Sequence, residues 1–209
     1  MMNGAIFGDK RTKEDYGAVM NYARVTPPSV KENYVDIAGG NSSIDLTEAV
    51  GSVVFEDGKI SFKFTLFRVE DKERMKNDLH GKKLKIVLER EPHFYYEGRL
   101  SFISESQVGN LYELCMDARV SPYKMENQVT IHEEEVKAAK EIIIFNERMP
   151  AMPTITARGN ITISFEGISI SLKTGIYEIP EITFRDGINR LKVSGKGSIR
   201  LEYRKGRLA

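Results

Sequence analysis

Three histidines, His80, His93 and His132, are the side chains best suited to proton transfer or metal ligation, and no two sit at ligand spacing on one element. A metal site would have to be assembled from distant stretches, against the commoner fate of a histidine satisfied by a neighbour or by water. Glu133-Glu134-Glu135 offers carboxylates for acid–base work, yet a run of like charge is more simply a solvated face. Gly195-Lys196-Gly197 runs on into Ser198-Ile199-Arg200, so it lacks the third glycine and the helix of a dinucleotide loop. Neither a Walker-type phosphate loop nor a Gly-x-Ser-x-Gly elbow occurs. Cys115 stands alone between Leu114 and Met116, where apolar company disfavours a thiolate; it reads as an inert core residue with no disulfide partner in the chain. These residues nominate no catalytic, cofactor-binding or metal site. The chain reads as non-enzymatic, since a glycosidase would need an acid/base pair that cannot be named.

Two patterns bear on binding instead. Between Arg190 and Ala209 there are seven basic residues and one acid, Glu202. Arg200, Glu202 and Arg204 share the face opposite Ile199, Leu201 and Tyr203, either as a stripe for an acidic partner or, in the favoured reading, as the charge guarding an edge strand. Tyr95, Tyr96, Tyr112 and Tyr123 could stack on sugar rings, but there is no Trp, and core or interface positions suit them better.

The elements that would carry such residues are mostly strands. With 209 residues, 41% hydrophobic, 29% charged and a net charge of +1, the chain is one large domain or two small ones, and neither disordered nor a dedicated nucleic-acid binder. No apolar stretch reaches the length of a membrane span, and the first residues lack a signal-peptide core; the expectation is a soluble protein made in a cytoplasm. His80 to Phe102 is the spine of the first half. Leu84, Ile86 and Leu88 alternate with lysines, Pro92 marks the connection, and Leu100 and Phe102 share a face in the second run. Residues 4–8 read as a short strand, 9–31 as irregular loop, and Tyr34–Ile37 and Ile44–Thr47 as brief strands. Val53-Val54-Phe55 and Lys59–Leu66 read as a hairpin about Asp57-Gly58. Asp71 is placed to cap a helix carrying Met75 and Leu79 and ending at Gly81. Gly109–Met116 is another strand, broken by Pro122. Thr130–Glu133 resembles a capping box with a Glu133–Lys137 pair, whereas Glu141–Phe145 reads as a buried strand, so 131–140 is open between helix and strand. From Pro153 onward short alternating runs separated by turn residues predict a small sandwich. The expected division is 1–124 and 125–209.

In order, Phe7-Gly8, Asp15-Tyr16-Gly17, Pro27-Pro28, Ile44–Thr47 leading to Phe62-Lys63-Phe64, Leu79–Lys82, Tyr95–Arg99, Pro122–Lys124, Pro153–Ile155, Gly187–Asn189 and Tyr203–Leu208 resemble the signposts of the distal tail protein (Dit) family of long, non-contractile-tailed bacteriophages. The resemblance implies a mainly β subunit with one or two short helices. It would comprise an N-terminal ring-forming β domain and a C-terminal galectin-like β-sandwich, here short enough to lack strands and without an added carbohydrate-binding insertion. It implies a hexameric ring at the virion tail tip, synthesised in the bacterial host cytoplasm. Its partners would be other copies of itself, the major tail tube protein, a tail-tip lysin-like protein and receptor-binding or baseplate proteins. DNA would only pass through a neutral or acidic lumen, there would be no membrane insertion, and the stripe of Arg200 and Arg204 would face elsewhere. Phe55, Lys63 and Phe67 are the residues expected at the subunit contact, because the hairpin carries more apolar area than one sheet face needs. The competing expectation is a monomeric β-sandwich that binds host saccharides.

Overall fold

Alternation of apolar and polar residues dominates the chain, and the computed structural model, which describes residues 4–49 and 51–209, is accordingly mainly β. It divides into two compact units, one of residues up to Lys124 together with Leu208–Ala209, the other Met125–Arg207.

The first unit contains β1 (Ala5–Phe7), β2 (Lys10–Arg11), α1 (Thr12–Tyr16), β3 (Val19–Thr26), β4 (Tyr34–Asp36), β5 (Ser43–Asp45), β6 (Gly58–Leu66), α2 (Val69–Leu79), β7 (Lys83–Leu88), β8 (Phe94–Val108) and β9 (Leu111–Val120). Its main sheet runs β2-β1-β7-β8-β9-β6-β3, antiparallel at every pairing. Ile60, Phe62, Phe64 and Leu66 of β6, with Leu114, Met116, Ala118 and Val120 of β9, point to one face and are almost wholly buried with Met75 and Leu79 of α2. The sheet rolls over this face: Phe7 of β1 meets Phe62 edge-on at 5.3 Å although three strands separate them in the sheet.

Several expectations are corrected here. The segment 9–31 is not irregular: it forms α1 and then β3. The period of β3 is concealed because it buries only Met20 and Ala23 and because a bulge between Met20 and Tyr22 breaks the alternation. Nor is 53–66 a hairpin. β6 pairs with β3 and β9, while Phe55 bridges Val30 instead, so the true hairpin is β3–β6 with a long excursion between its arms. The helix begins at Val69, with Arg68 at the N-cap and no side-chain cap; Asp71 pairs with Arg74 at 2.7 Å. Cys115 lies half-buried on the face of β9 opposite Leu114 and Met116, not in the core.

The chain crosses between units in β10 (Tyr123–Glu126) and again in β17 (Gly206–Leu208). Between them lie β11 (Thr130–Val136), β12 (Lys140–Asn146), β13 (Thr154–Phe165), β14 (Ile168–Leu172), β15 (Gly175–Glu178) and β16 (Gly187–Tyr203). Residues 131–140 are thus strand, turn and strand. Glu133 faces Arg200 across the ladder instead of pairing with Lys137, because β16 offers its backbone to Thr130–Val136 along the whole length. The second unit contains six strands. β13 and β16 are long strands paired throughout, and each serves two layers. The first half of β13 and second half of β16 are flanked by β15 and β11; the other halves are flanked by β14 and β12. Gly159, Gly195 and Gly197, all with positive φ, mark the bend, and buried residues from both sides of it form one core. Gly195-Lys196-Gly197 is therefore a fold in one strand and not a turn between two. In β12 Ile142, Ile144 and Asn146 are buried, while Ile143 and Phe145 are exposed, so that strand is half-buried.

Candidate interaction surfaces

Two of the three histidines make structural contacts, and His93 is exposed. His80 Nδ1 accepts from the Phe102 amide at 3.1 Å, and His132 stacks on Tyr203 with ring centroids 6.1 Å apart. Among the described residues no group of three or more His, Cys, Asp or Glu side chains is placed to hold a metal ion. Glu133 pairs with Arg200, Glu134 with Lys140 and Glu135 with Lys137. The reading of the basic stripe as the guard of an edge strand is corrected. β16 is central in its sheet, Arg200 is held by Glu133 and Glu202, and Arg204 lies past the strand end, donating to the Glu126 and Asn127 carbonyls. Tyr95 and Tyr96 are buried, Tyr112 is half-buried beneath the Lys72 ammonium, and Tyr123 is half-buried edge-on to Phe55; none of the four offers a bare ring face for stacking.

The candidate surfaces for a macromolecular partner lie on the first unit. The excursion between β3 and β6 is a two-stranded arm. Its stem is closed by the Glu56 amide donating to the Ser29 carbonyl and the Lys31 amide to the Val54 carbonyl, both at 2.8 Å. Further out β4 pairs with β5, Val35 opposite Ile44 and Tyr34 opposite Asp45, and the Gly40 amide closes the tip on Ile37. At strand rise, the eight residues from Val30 to the tip project about 25 Å. Alternation gives the ribbon an apolar face of Val35, Ile37, Ile44 and Leu46 and an acidic face of Glu32, Tyr34, Asp36 and Asp45. Every residue from Lys31 to Leu46 is exposed, with Ile37 at 48% and Ile44 at 49%. A lone two-stranded ribbon with uncovered apolar side chains is marginal in water, so a partner surface is its natural complement. Asp45 and Glu32 beside Tyr34 push its phenol above the ordinary range, and the Thr47 hydroxyl and amide hold Asp45 below it.

The second surface is the face of the main sheet turned away from the core. Lys59, Arg119, Arg99 and Lys83 stand directly opposite one another across β6, β9, β8 and β7. Ser61, Lys63, Asp117 and Glu113 lie further along it, with Lys63 bound to Glu113 at 2.9 Å and Lys59 to Asp117 at 2.6 Å. Of the expected contact residues, Lys63 sits on this face, Phe67 lies just past β6 at 60% exposure, and Phe55 is half-buried in the arm's stem. They do not converge on one patch. The arm's two faces were readable from Val35 and Ile37 alternating with Tyr34 and Asp36; the basic row was not, because it exists only through the register of four strands.

Among the described residues, no helix is long and apolar enough to cross a membrane. No model of a protein family matches the chain, and no curated protein matches it in sequence. Among solved structures, the Dit protein (gp 19.1) of phage SPP1 superposes with a TM-score of 0.75 over 100% of both chains, at 14% identity. The chain has the Dit fold along its entire length.

Proposed function

We propose that this chain is a distal tail protein: a structural, non-catalytic hub of a long, non-contractile phage tail tip. The likeness to SPP1 Dit across both units carries the proposal, because it covers the whole chain, whereas a single β-sandwich is shared by many unrelated proteins. The SPP1 protein is presented as a paradigm of the hub adsorption apparatus in phages that infect Gram-positive bacteria. By extension, copies of the first unit join into a ring, six by the resemblance, that links the tail tube to the receptor-binding or baseplate proteins and a lysin-like tip protein. The second unit is a galectin-like sandwich turned outward, and DNA passes through the ring without being bound.

The exposed arm supports self-association, since a heterologous contact needs one surface that reaches and one that receives. Phe67 and Lys63 belong to the receiving side. Electron microscopy and native mass spectrometry of the purified chain, alone and with its tube protein, test the reading. Closed rings are expected; a particle that stays a monomer under both conditions overturns it. Labelled antibody should mark the tail tip of intact virions and no other site.

A further inference from the structure

We infer that a groove on the outer face of the second unit, centred on Arg200, binds a saccharide that carries an anionic substituent.

Strand register gathers the groove. Glu133 of β11 lies opposite Arg200 of β16, Arg200 opposite Thr156 of β13, and Thr156 opposite Ile176 of β15. In the next row Glu135 lies opposite Ser198, and Ser198 opposite Arg158. Arg200, Thr156 and Ser198 are half-buried, while Glu133 and Ile176 on the flanking strands are exposed, so the face is hollowed along its middle. The hollow has a volume of about 280 Å³. It continues into a more open one of about 570 Å³ at the bend, where Lys196 and Gly197 join Arg158 and Ser198.

The Arg200 guanidinium is held between Glu133, at 2.8 Å, and Glu202. These carboxylates engage all three of its nitrogens yet leave N–H donors and carboxylate lone pairs to spare. The Thr156 and Ser198 hydroxyls beside it make no hydrogen bond among the described residues. A sugar ring presents adjacent hydroxyls that each donate and accept, and a guanidinium already fixed by its carboxylates meets them at little cost in side-chain entropy. Ile176, 71% exposed at the rim, offers an apolar surface to the C–H groups of the ring. Charge then selects among saccharides. Glu133 and Glu202 answer Arg200, and Lys137 answers Glu135. Arg158 and Lys196, at the bend, have no carboxylate partner among the described residues. The unanswered charge of the groove is therefore positive and lies at one end, where a carboxylate or phosphate on the ligand meets its counter-charge. A folded protein suits the groove less well, because interface cores are rich in aromatic residues and no aromatic side chain lines this hollow among the described residues.

A glycan array followed by isothermal titration, both with the full-length chain, tests this. The probes are bacterial-surface oligosaccharides in matched sets: neutral, uronic-acid-bearing and phosphorylated. The wild-type chain should bind the acidic members about tenfold more tightly than their neutral counterparts, and the ratio between the two acidic kinds identifies the anion. Arg158→Ala removes an exposed side chain with no partner and should abolish that preference while leaving affinity for the neutral member unchanged. Arg200→Lys keeps the charge but loses the planar fork and should weaken every member by about tenfold. Circular dichroism establishes that each variant folds; should Arg200→Lys unfold, Thr156→Val gives the corresponding reading at the centre of the groove. A wild-type chain that binds no member of the array overturns the proposal. So does binding indifferent to the substitutions at 158, 200 and 156, or inorganic phosphate displacing the acidic probes at equal concentration, which marks a simple anion site. Ring formation does not enter these measurements, so their failure leaves the hub reading to be judged by microscopy alone.

Discussion

At Gly195 the space a side chain would need is taken by the Asn160 carbonyl oxygen, 2.1 Å from where a Cβ would stand, and the backbone has φ +117. Both the close approach and the left-handed conformation argue for glycine, so Gly195→Ala should cost more than about 3 kcal/mol and melt the second unit well below the first in calorimetry. Tyr203 shows the opposite economy. Burial raises its phenol to about 12, and its hydroxyl has no hydrogen-bond partner among the described residues. Tyr203→Phe removes a buried polar group that makes no bond, so denaturant unfolding should shift by less than about 1 kcal/mol in either direction. Glu105 is the residue through which pH acts on the helix. Lys76 at 2.6 Å and Lys72 at 3.3 Å donate to it, joining α2 to β8 and holding its carboxyl below the ordinary glutamate range. A carboxyl depressed in the folded state stabilises above its unfolded pKa and loses that contribution as pH falls through the folded one. Glu105→Gln should therefore lower stability at neutral pH by no more than about 1 kcal/mol, because Glu105 itself is exposed, and the difference from wild type should vanish in acid.

At the scale of elements, legibility followed local periodicity. β7, β9, the buried side of α2 and the alternating runs of the second unit were plain from the sequence, because apolar residues recur at the spacing of their element. β3 was invisible: Ala18, Met20 and Ala23 are small or unbranched, and the bulge shifts their parity. That omission created the false hairpin, since β6 needed a partner and the nearest apolar run was Val53–Phe55. The bend in β16 is hidden in the sequence, because the glycines at 195 and 197 signal a turn and a fold in a long strand alike. The interaction surfaces were half legible, the arm by its alternation and the basic row not at all, since cross-strand neighbours far apart in sequence leave no local trace. The corrected topology makes a prediction of its own. Replacing residues 31–54 with a short Gly-Ser turn should leave β3 and β6 paired and the thermal midpoint within a few degrees of wild type, while particle size by light scattering falls to that of one chain.

Across the whole molecule, the residues that hold the fold differ from those proposed for assembly. Phe62 and Phe64 are fully covered within their own unit, so Phe62→Ala should cost about 3–5 kcal/mol and unfold the first unit before any question of assembly arises. Lys63→Glu with Phe67→Asp should do the reverse, reducing ring formation in sedimentation while circular dichroism stays unchanged, because Phe67 is 60% exposed and Lys63 gives up only a surface ion pair. Charge across that contact also implies that rings loosen as salt is raised.

The return of the chain to its starting unit makes the second unit an insertion. The Ala209 amide donates to the Pro122 carbonyl at 2.9 Å, so the host sequence resumes beside the point where it was interrupted. A host closed in this way can exchange its guest: residues 125–207 form a cassette that recombination could swap for another module of similar entry and exit without disturbing the remaining sheet. Proteins built on this scaffold could thus vary the inserted module while keeping the unit that carries it.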